Sequence, residues 1–246
     1  MQTEKRVTTG LVLRQTVTKE TDLILTVLTP DLGRISVIAK GARSRKSKFG
    51  AACQLLTYSE MTLTQRGDWY YLGEASTLEL FEGMRQDIVL LSLGSYFAEL
   101  TETLCTGESA SELLRLLLNA LYALSTLHKD PLIVKPAFTF RLMALTGFAP
   151  YCQSCAVCGG EPEKPMLDVI QGVVHCAACK TEGLGLPLTV DALEALRYIL
   201  NCEDKKLYRF SAAPKDLKLL DHAAEAFVSA QLERSFRTLD YYKSML

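Results

Sequence analysis

The polar–apolar pattern of this 246-residue chain changes its period once, near residue 86. Before that point, apolar or β-branched side chains alternate with polar ones. The runs are RVTTGLVLRQTV (6–17), DLILTVLT (22–29), RISVIAK (34–40), LTYSEMTLTQR (56–66) and WYYLGEASTLE (69–79). Alternation sends successive side chains to opposite faces, so each run reads as a strand. Turn signals separate them: Pro30, Asp31 and Gly33, then Gly41, then Gly67 and Asp68. Five short strands cannot bury both faces of a flat sheet, and a small closed barrel of the OB type is the economical solution. An SH3-like barrel is the competitor, and alternation alone does not separate the two.

From Gln86 the apolar residues recur at three and four. QDIVLLSLGSYFAELTETLC (86–105) has this helical period. Ser109 with Glu112 spells a capping box ahead of LLRLLLNALYALSTL (113–127). Pro131 opens PLIVKPAFTFRLMALTG (131–147), which Gly147 ends. These three helices are expected to form an antiparallel bundle. Thr189 or Asp191 opens another helix through Leu200, and a last one is expected from Pro214 to about Tyr242. The fold class is thus α+β and multidomain. Residues 1–80 form a small OB-fold barrel for nucleic acid, and residues 81–246 form an all-α domain. A cysteine-rich insert at 150–182 interrupts the helices.

The composition is globular, 48% hydrophobic and 22% charged. The start, MQTEKRVTTG, has no apolar core of a signal peptide, and no apolar stretch is long enough to span a bilayer. The expectation is a soluble, cytoplasmic protein with no membrane partner. Thiols there stay reduced, so clustered cysteines point to metal before disulfides. Five of the eight cysteines fall in CQSCAVCGGEPEKPMLDVIQGVVHCAAC (152–179). Cys155, Cys158, Cys176 and Cys179 give two C-x2-C pairs separated by seventeen residues. That is the spacing of a four-thiolate zinc knuckle. Two thiolates three apart on a tight turn grip one face of a tetrahedral ion, and LDVIQGVV (167–174) can fold back as a hairpin to bring the second pair across. Cys152 precedes Cys155 by three, so Cys152/Cys155 is an alternative first pair; Gly159 and Gly160 favour Cys155/Cys158. Four protein ligands leave no open position, so one Zn2+ per chain would be structural. His175 is expected to be a solvated neighbour, and Cys53, Cys105 and Cys202 to be core thiols.

A net charge of −1 hides an asymmetry. Residues 1–80 carry eleven Lys and Arg against eight Asp and Glu; the remainder carries sixteen against twenty. Arg34, Lys40, Arg43, Arg45, Lys46 and Lys48 fall within fifteen residues that contain no acid. A Gly/Ser-rich loop of this kind is expected to be flexible, and phosphate backbones reward its charge by counterion release. Arg14 and Lys19 extend the patch. Phe49, Trp69, Tyr70 and Tyr71 are candidate stacking platforms, each equally suited to the barrel core. No nucleotide loop, nucleophile elbow or metalloprotease motif is present, and the three histidines, His128, His175 and His222, sit in no catalytic setting. A binding protein is expected. A protein-binding adaptor with a basic docking loop is the main rival, and a metal-dependent nucleic-acid enzyme the third reading.

The run DLILTVLTPDLGRISVIAKGARSRKSKFG (22–50) resembles the N-terminal signature of the RecO family of bacterial recombination mediators. GFAPYCQSCAVCGG (147–160) followed by HCAAC (175–179) is similar to the cysteine module of its zinc-bearing members. The resemblance covers almost the whole chain. It implies an OB-fold domain, a helical domain and a role in DNA repair by the RecF pathway. It further implies binding of single- and double-stranded DNA, annealing of complementary strands, and loading of RecA with RecR onto DNA covered by single-strand-binding protein. By carry-over, Arg34, Lys40, Arg43, Arg45, Lys46 and Lys48 become DNA contacts and the four cysteines metal ligands. Cys152 departs from the expected apolar residue. The mildly acidic net charge implies weaker DNA affinity alone and reliance on RecR.

Overall fold

The computed structural model describes residues 5–106, 109–179 and 185–246. The C-terminal end of the insert expected at 150–182, from residue 180 on, lies outside the described residues. The chain divides into two compact units, one comprising residues 1–126 with 236–246 and the other residues 127–235.

The first unit begins with five strands: β1 (Lys5–Val17), β2 (Leu23–Thr29), β3 (Gly33–Ala39), β4 (Tyr58–Arg66) and β5 (Trp69–Glu79). They close into a barrel in the order β1-β2-β3-β5-β4. Two features close it. A register shift between Val12 and Arg14 bends β1, so its first half pairs with β4 and its second half with β2. On the far side β3 meets β5 in parallel, Val37 opposite Tyr70 and Ile38 opposite Tyr71. This parallel closure makes the barrel OB-like and decides against the SH3-like alternative. Leu25, Val27, Val37, Met61 and Leu63 fill the interior, each almost fully buried. Phe49 is among them, at 4% exposure, which removes it from the stacking candidates.

Helices α1 (Glu82–Arg85), α2 (Ile88–Leu104) and α3 (Ala110–Ser125) follow. Arg85 ties α1 to the barrel by donating to the Leu55 carbonyl at 2.8 Å and the Thr57 hydroxyl at 2.8 Å. Asp87 caps α2 through the Val89 and Leu90 amides. The expected capping box at α3 does not form: the Ser109 side chain makes no capping hydrogen bond.

In the second unit, α4 (Pro131–Leu145) is capped by Asp130 and packs with α5 (Val190–Asn201) and α6 (Pro214–Leu232). The expected three-helix bundle is therefore split between units, α2 and α3 packing together in the first. The reason lies in α4, which buries Val134, Ala137, Phe138, Phe140 and Met143 around most of its circumference and so serves as a central helix. Lys135, 3% exposed, is held by Asp221 at 3.0 Å and by Glu225, both on α6. The last helix is also shorter than the sequence predicts. Glu233 turns left-handed at φ 49°, ending α6, and α7 (Arg237–Ser244) starts afresh. Phe236 is the cause: it is buried edge-on against Tyr96 of α2, ring centroids 5.9 Å apart, and Glu99 accepts from the Thr238 amide at 3.3 Å. A three-stranded sheet completes this unit, β6 (Pro165–Asp168), β7 (Val173–Cys176) and β8 (Gly185–Pro187), in the order β7-β6-β8. Among the described residues no helix is long and apolar enough to cross a membrane.

Gly10 sits where β1 crosses β2. A Cβ there would lie 2.4 Å from Val27 Cγ1 and 3.2 Å from the Leu28 carbonyl oxygen. Gly10→Ala is therefore expected to destabilise the barrel by about 1–3 kcal/mol through overpacking, measured by urea unfolding.

Candidate nucleic-acid interface and metal centre

The loop between β3 and β4 is a succession of tight turns. Gly41, at φ 69°, gives its amide to Asp22 Oδ1 at 2.8 Å. The Arg43 amide donates to the Thr21 carbonyl at 2.9 Å, and its guanidinium to the Glu20 carbonyl at 3.0 Å. The Ser44 amide donates to Gly41 and the Ser47 amide to Ser44. The expected flexible loop is thus ordered against the β1–β2 turn, because Asp22 and the backbone of that turn satisfy its donors. Its cations stay outside: Lys40, Arg43, Arg45, Lys46 and Lys48 are all exposed, as is Lys19 on the neighbouring turn. Phe49 anchors the far end in the core, with Lys48 Nζ 5.3 Å from its ring centre.

Arg14 and Arg34 lie elsewhere. Both turn to Glu102 near the C-terminal end of α2. Arg14 binds its carboxylate with Nη2 at 2.9 Å and Nε at 3.2 Å; Arg34 donates to its carbonyl at 2.6 Å. The Glu102 hydrogen bond raises the Arg14 guanidinium above its ordinary value. A guanidinium on one of a helix's last carbonyls also suits the negative end of the dipole. These two arginines therefore fasten the barrel to α2.

The β4–β5 hairpin adds a cation that the sequence pattern did not single out. Arg66 pairs directly with Trp69 across the Gly67–Asp68 turn. Its Cζ lies 5.2 Å from the centre of the Tyr71 ring, and Lys40 Nζ lies 5.6 Å from the same centre. The signal was the hairpin register: Arg66 stands three before Trp69 around a Gly-Asp turn. Tyr70 points the other way and packs against the core.

In the second unit the cysteine segment folds as two turns facing each other. In the first, the Cys155 amide donates to the Gly160 carbonyl at 2.8 Å and the Gly159 amide to the Cys155 carbonyl at 2.9 Å. Gly159 adopts φ 73°, which a side chain would resist. In the second, the Cys179 amide donates to the Cys176 carbonyl at 2.9 Å. The Ala156 amide joins the first turn to β7 through the Val174 carbonyl at 2.9 Å. The Sγ atoms of Cys155, Cys158, Cys176 and Cys179 all lie within 4.8 Å of one another, a group that could hold a metal ion. Zn–S bonds of 2.3 Å require tetrahedral edges of about 3.8 Å; Cys158 and Cys176 are 3.9 Å apart.

Backbone amides aim at the sulfurs, Cys176 at Cys155 Sγ (3.3 Å) and Glu163 at Cys176 Sγ (3.4 Å). Hydrogen bonding from the Cys158 backbone, against the cost of burial, pulls the Cys155 thiol down to about 6. Burial, and then its bonds to Cys155 and Cys158, push Cys179 up to about 12. One thiolate is therefore favoured and makes the next unfavourable, and a cation among the four removes that repulsion. The donor set fits a divalent metal. Cys152 stands outside this group; burial pushes its thiol up to about 11. His175 is buried at 6% exposure, contrary to expectation, because β7 turns it inward, where its Nδ1 donates to the Cys176 carbonyl at 2.9 Å. Cys53 and Cys105 are core thiols as expected; Cys202 is half-buried, 3.2 Å from Arg141 Nη2.

One side chain fastens this knuckle to α5. Arg197 donates to the carbonyls of Cys152 at 2.8 Å and Gln153 at 2.9 Å, and to the Glu161 carboxylate at 2.8 Å.

An OB-like barrel with a cationic loop, joined to a helical unit bearing a four-thiol knuckle, defines a two-part protein of the barrel-and-knuckle class. The family model described as recombination protein O N terminal matches residues 1–81, and that described as recombination protein O C terminal matches residues 85–240. The DNA repair protein RecO of Acetivibrio thermocellus is 31% identical over 97% of this chain and 96% of its own. That of Caldicellulosiruptor saccharolyticus is 31% identical over 95% and 96%, and that of Thermoanaerobacter sp. 28% over 97% and 97%. The chain belongs to the RecO family of DNA repair proteins.

Arg197→Ala leaves two carbonyls without their donor and is expected to cost about 2 kcal/mol. Arg197→Lys restores little of it, since one ammonium cannot reproduce the forked contact. Urea unfolding of both variants measures the difference.

Proposed function

We propose that the chain binds single- and double-stranded DNA through phosphate contacts from Lys40, Arg43, Arg45, Lys46 and Lys48. It holds two strands at once, lowers their mutual repulsion and lets complementary bases pair. With RecR it helps load RecA onto DNA coated by single-strand-binding protein, and its place is the cytoplasm, at the nucleoid when bound to DNA. Residues 1–80 act as the nucleic-acid domain and 81–246 as the helical domain that meets protein partners. The observation that carries this reading is the ordered loop with five exposed cations. Arg14 and Arg34, already engaged by Glu102, take a smaller share. Family membership supports the repair role, and RecR as partner rests on that membership. No covalent chemistry is needed, and labelled DNA incubated with Mg2+ or Zn2+ is expected to stay intact.

The knuckle is proposed to take one Zn2+ through Cys155, Cys158, Cys176 and Cys179. Zinc would supply charge neutralisation and a rigid tetrahedral anchor, with all four positions filled by protein. Its contribution is to the fold of the segment.

Fluorescence anisotropy with labelled single-stranded DNA, with and without RecR, tests the DNA reading. Lys40→Glu with Arg43→Glu is expected to weaken binding and, by removing two phosphate contacts, to lower the log–log salt slope by about 1.4. If that variant binds like the parent at low salt, the loop is not the contact surface and an acidic protein becomes the better candidate for it. Independently, Cys155→Ser with Cys176→Ser is expected to lose stoichiometric zinc by elemental analysis; one zinc per chain in that variant would rule out the ligand set.

A further inference from the structure

We propose that Trp69 is the subsite for an unpaired nucleobase, giving the barrel a preference for single strands. This rests on the DNA-binding reading above and adds to it the group that senses strandedness.

The four candidate aromatics are sorted by their surroundings. Phe49 is in the core, and Tyr70 packs against it. Tyr71 faces out, but its ring is already engaged by Lys40 and Arg66. Trp69 is 42% exposed and has no ring or cation–π partner among the described residues. It sits at the tip of the β4–β5 hairpin, where Gly67 takes φ 60° to make a two-residue turn. Trp69 and Tyr71 share the outer face of β5, since the intervening Tyr70 points inward.

The charges around it fit a polyanion. Arg66 is the direct cross-strand neighbour of Trp69. Lys40 reaches the same face because Ile38, two residues before it, pairs with Tyr71. Among the described residues the only acid on the hairpin turn is Asp68, which is exposed. A strand whose phosphates follow the loop cations toward Arg66 brings its bases to the indole. Every base offers a π face, so such stacking is tolerant of sequence. In a duplex the bases are already stacked and paired, and no face is available without opening the helix.

Stacking and charge leave different signatures. Removing a cation changes the salt slope. Removing an indole lowers affinity at every salt concentration by the same factor. Trp69 is also the chain's single tryptophan, so its fluorescence reports this position alone.

The test uses the full chain, an oligothymidine of about 16 nucleotides, the upper site size of one such barrel, and a duplex of equal length. The oligothymidine is expected to quench tryptophan fluorescence and the duplex not. Trp69→Ala is expected to bind the oligothymidine about tenfold more weakly, within the range for one stacked base. Its salt slope and its duplex binding are expected to stay as in the parent, and Trp69→Phe to keep most of the affinity. Unchanged thermal melting confirms that both variants fold. The inference fails if Trp69→Ala binds oligothymidine like the parent, or if it loses single strand and duplex equally. The DNA reading itself fails, and takes this inference with it, if the parent binds neither DNA at low salt.

Discussion

The parallel contact between β3 and β5 is the constraint on which the molecule's chemistry depends. It is short, Val37 against Tyr70 and Ile38 against Tyr71, yet it is what closes the antiparallel sheet β3-β2-β1-β4-β5 into a barrel. Closure brings the end of β3, where the basic loop begins, beside the start of β5, where the β4–β5 hairpin ends. Lys40 and Arg66 are far apart in sequence, yet both lie within 6 Å of one tyrosine ring. Without that pairing the loop and the hairpin would belong to different edges of an open sheet.

Charge placement follows from the same closure. Cations on one small barrel repel; where the barrel meets α2, Arg14 is neutralised by the Glu102 carboxylate and Arg34 is engaged by the Glu102 carbonyl. The loop that carries the remaining cations is held through its own backbone amides at Gly41, Arg43, Ser44 and Ser47, the first of them on the Asp22 carboxylate, and not through the charged ends of its side chains. The Arg43 guanidinium rests on a neutral carbonyl, that of Glu20, and keeps its charge uncompensated, whereas Arg14, held by a carboxylate, has lost much of its field. Counting basic residues therefore overstates the footprint, and following each one to its partner corrects it. Exposed pairs such as Arg14–Glu102 contribute little to stability, typically under about 1 kcal/mol. Their weight lies in deciding which surface remains positive.

The strands were legible in the sequence because alternation and turn residues act locally. The predicted run 6–17 became Lys5–Val17, and 69–79 became Trp69–Glu79. The four thiols were legible because a tight turn fixes their spacing, and glycine after the first pair singled out Cys155 and Cys158 over Cys152. What escaped depends on partners distant in sequence. Nothing near Glu233 breaks a helix; it is Phe236 docking on Tyr96 that does so. Arg14 and Arg34 looked like phosphate ligands because Glu102 lies 88 and 68 residues away. The Ser109 box failed although its sequence was right, since a cap needs the backbone geometry as well as the residues.

The knuckle applies the same principle to a segment with little apolar surface. Residues 152–179 bury few large side chains, so their shape must come from elsewhere. The β6–β7 hairpin supplies part, with Asp168 accepting the amides of Ile170 and Gln171 at 3.0 and 2.9 Å. Arg197 supplies another part by gripping the strand of backbone that leads into Cys155. The two cysteine pairs so brought together place four sulfurs within 4.8 Å of one another, and these repel as soon as more than one is charged. A divalent cation held by Cys155, Cys158, Cys176 and Cys179 would convert that repulsion into attraction. Binding of such an ion would then be coupled to the folding of the segment, and Arg197 is the side chain that ties that segment to α5.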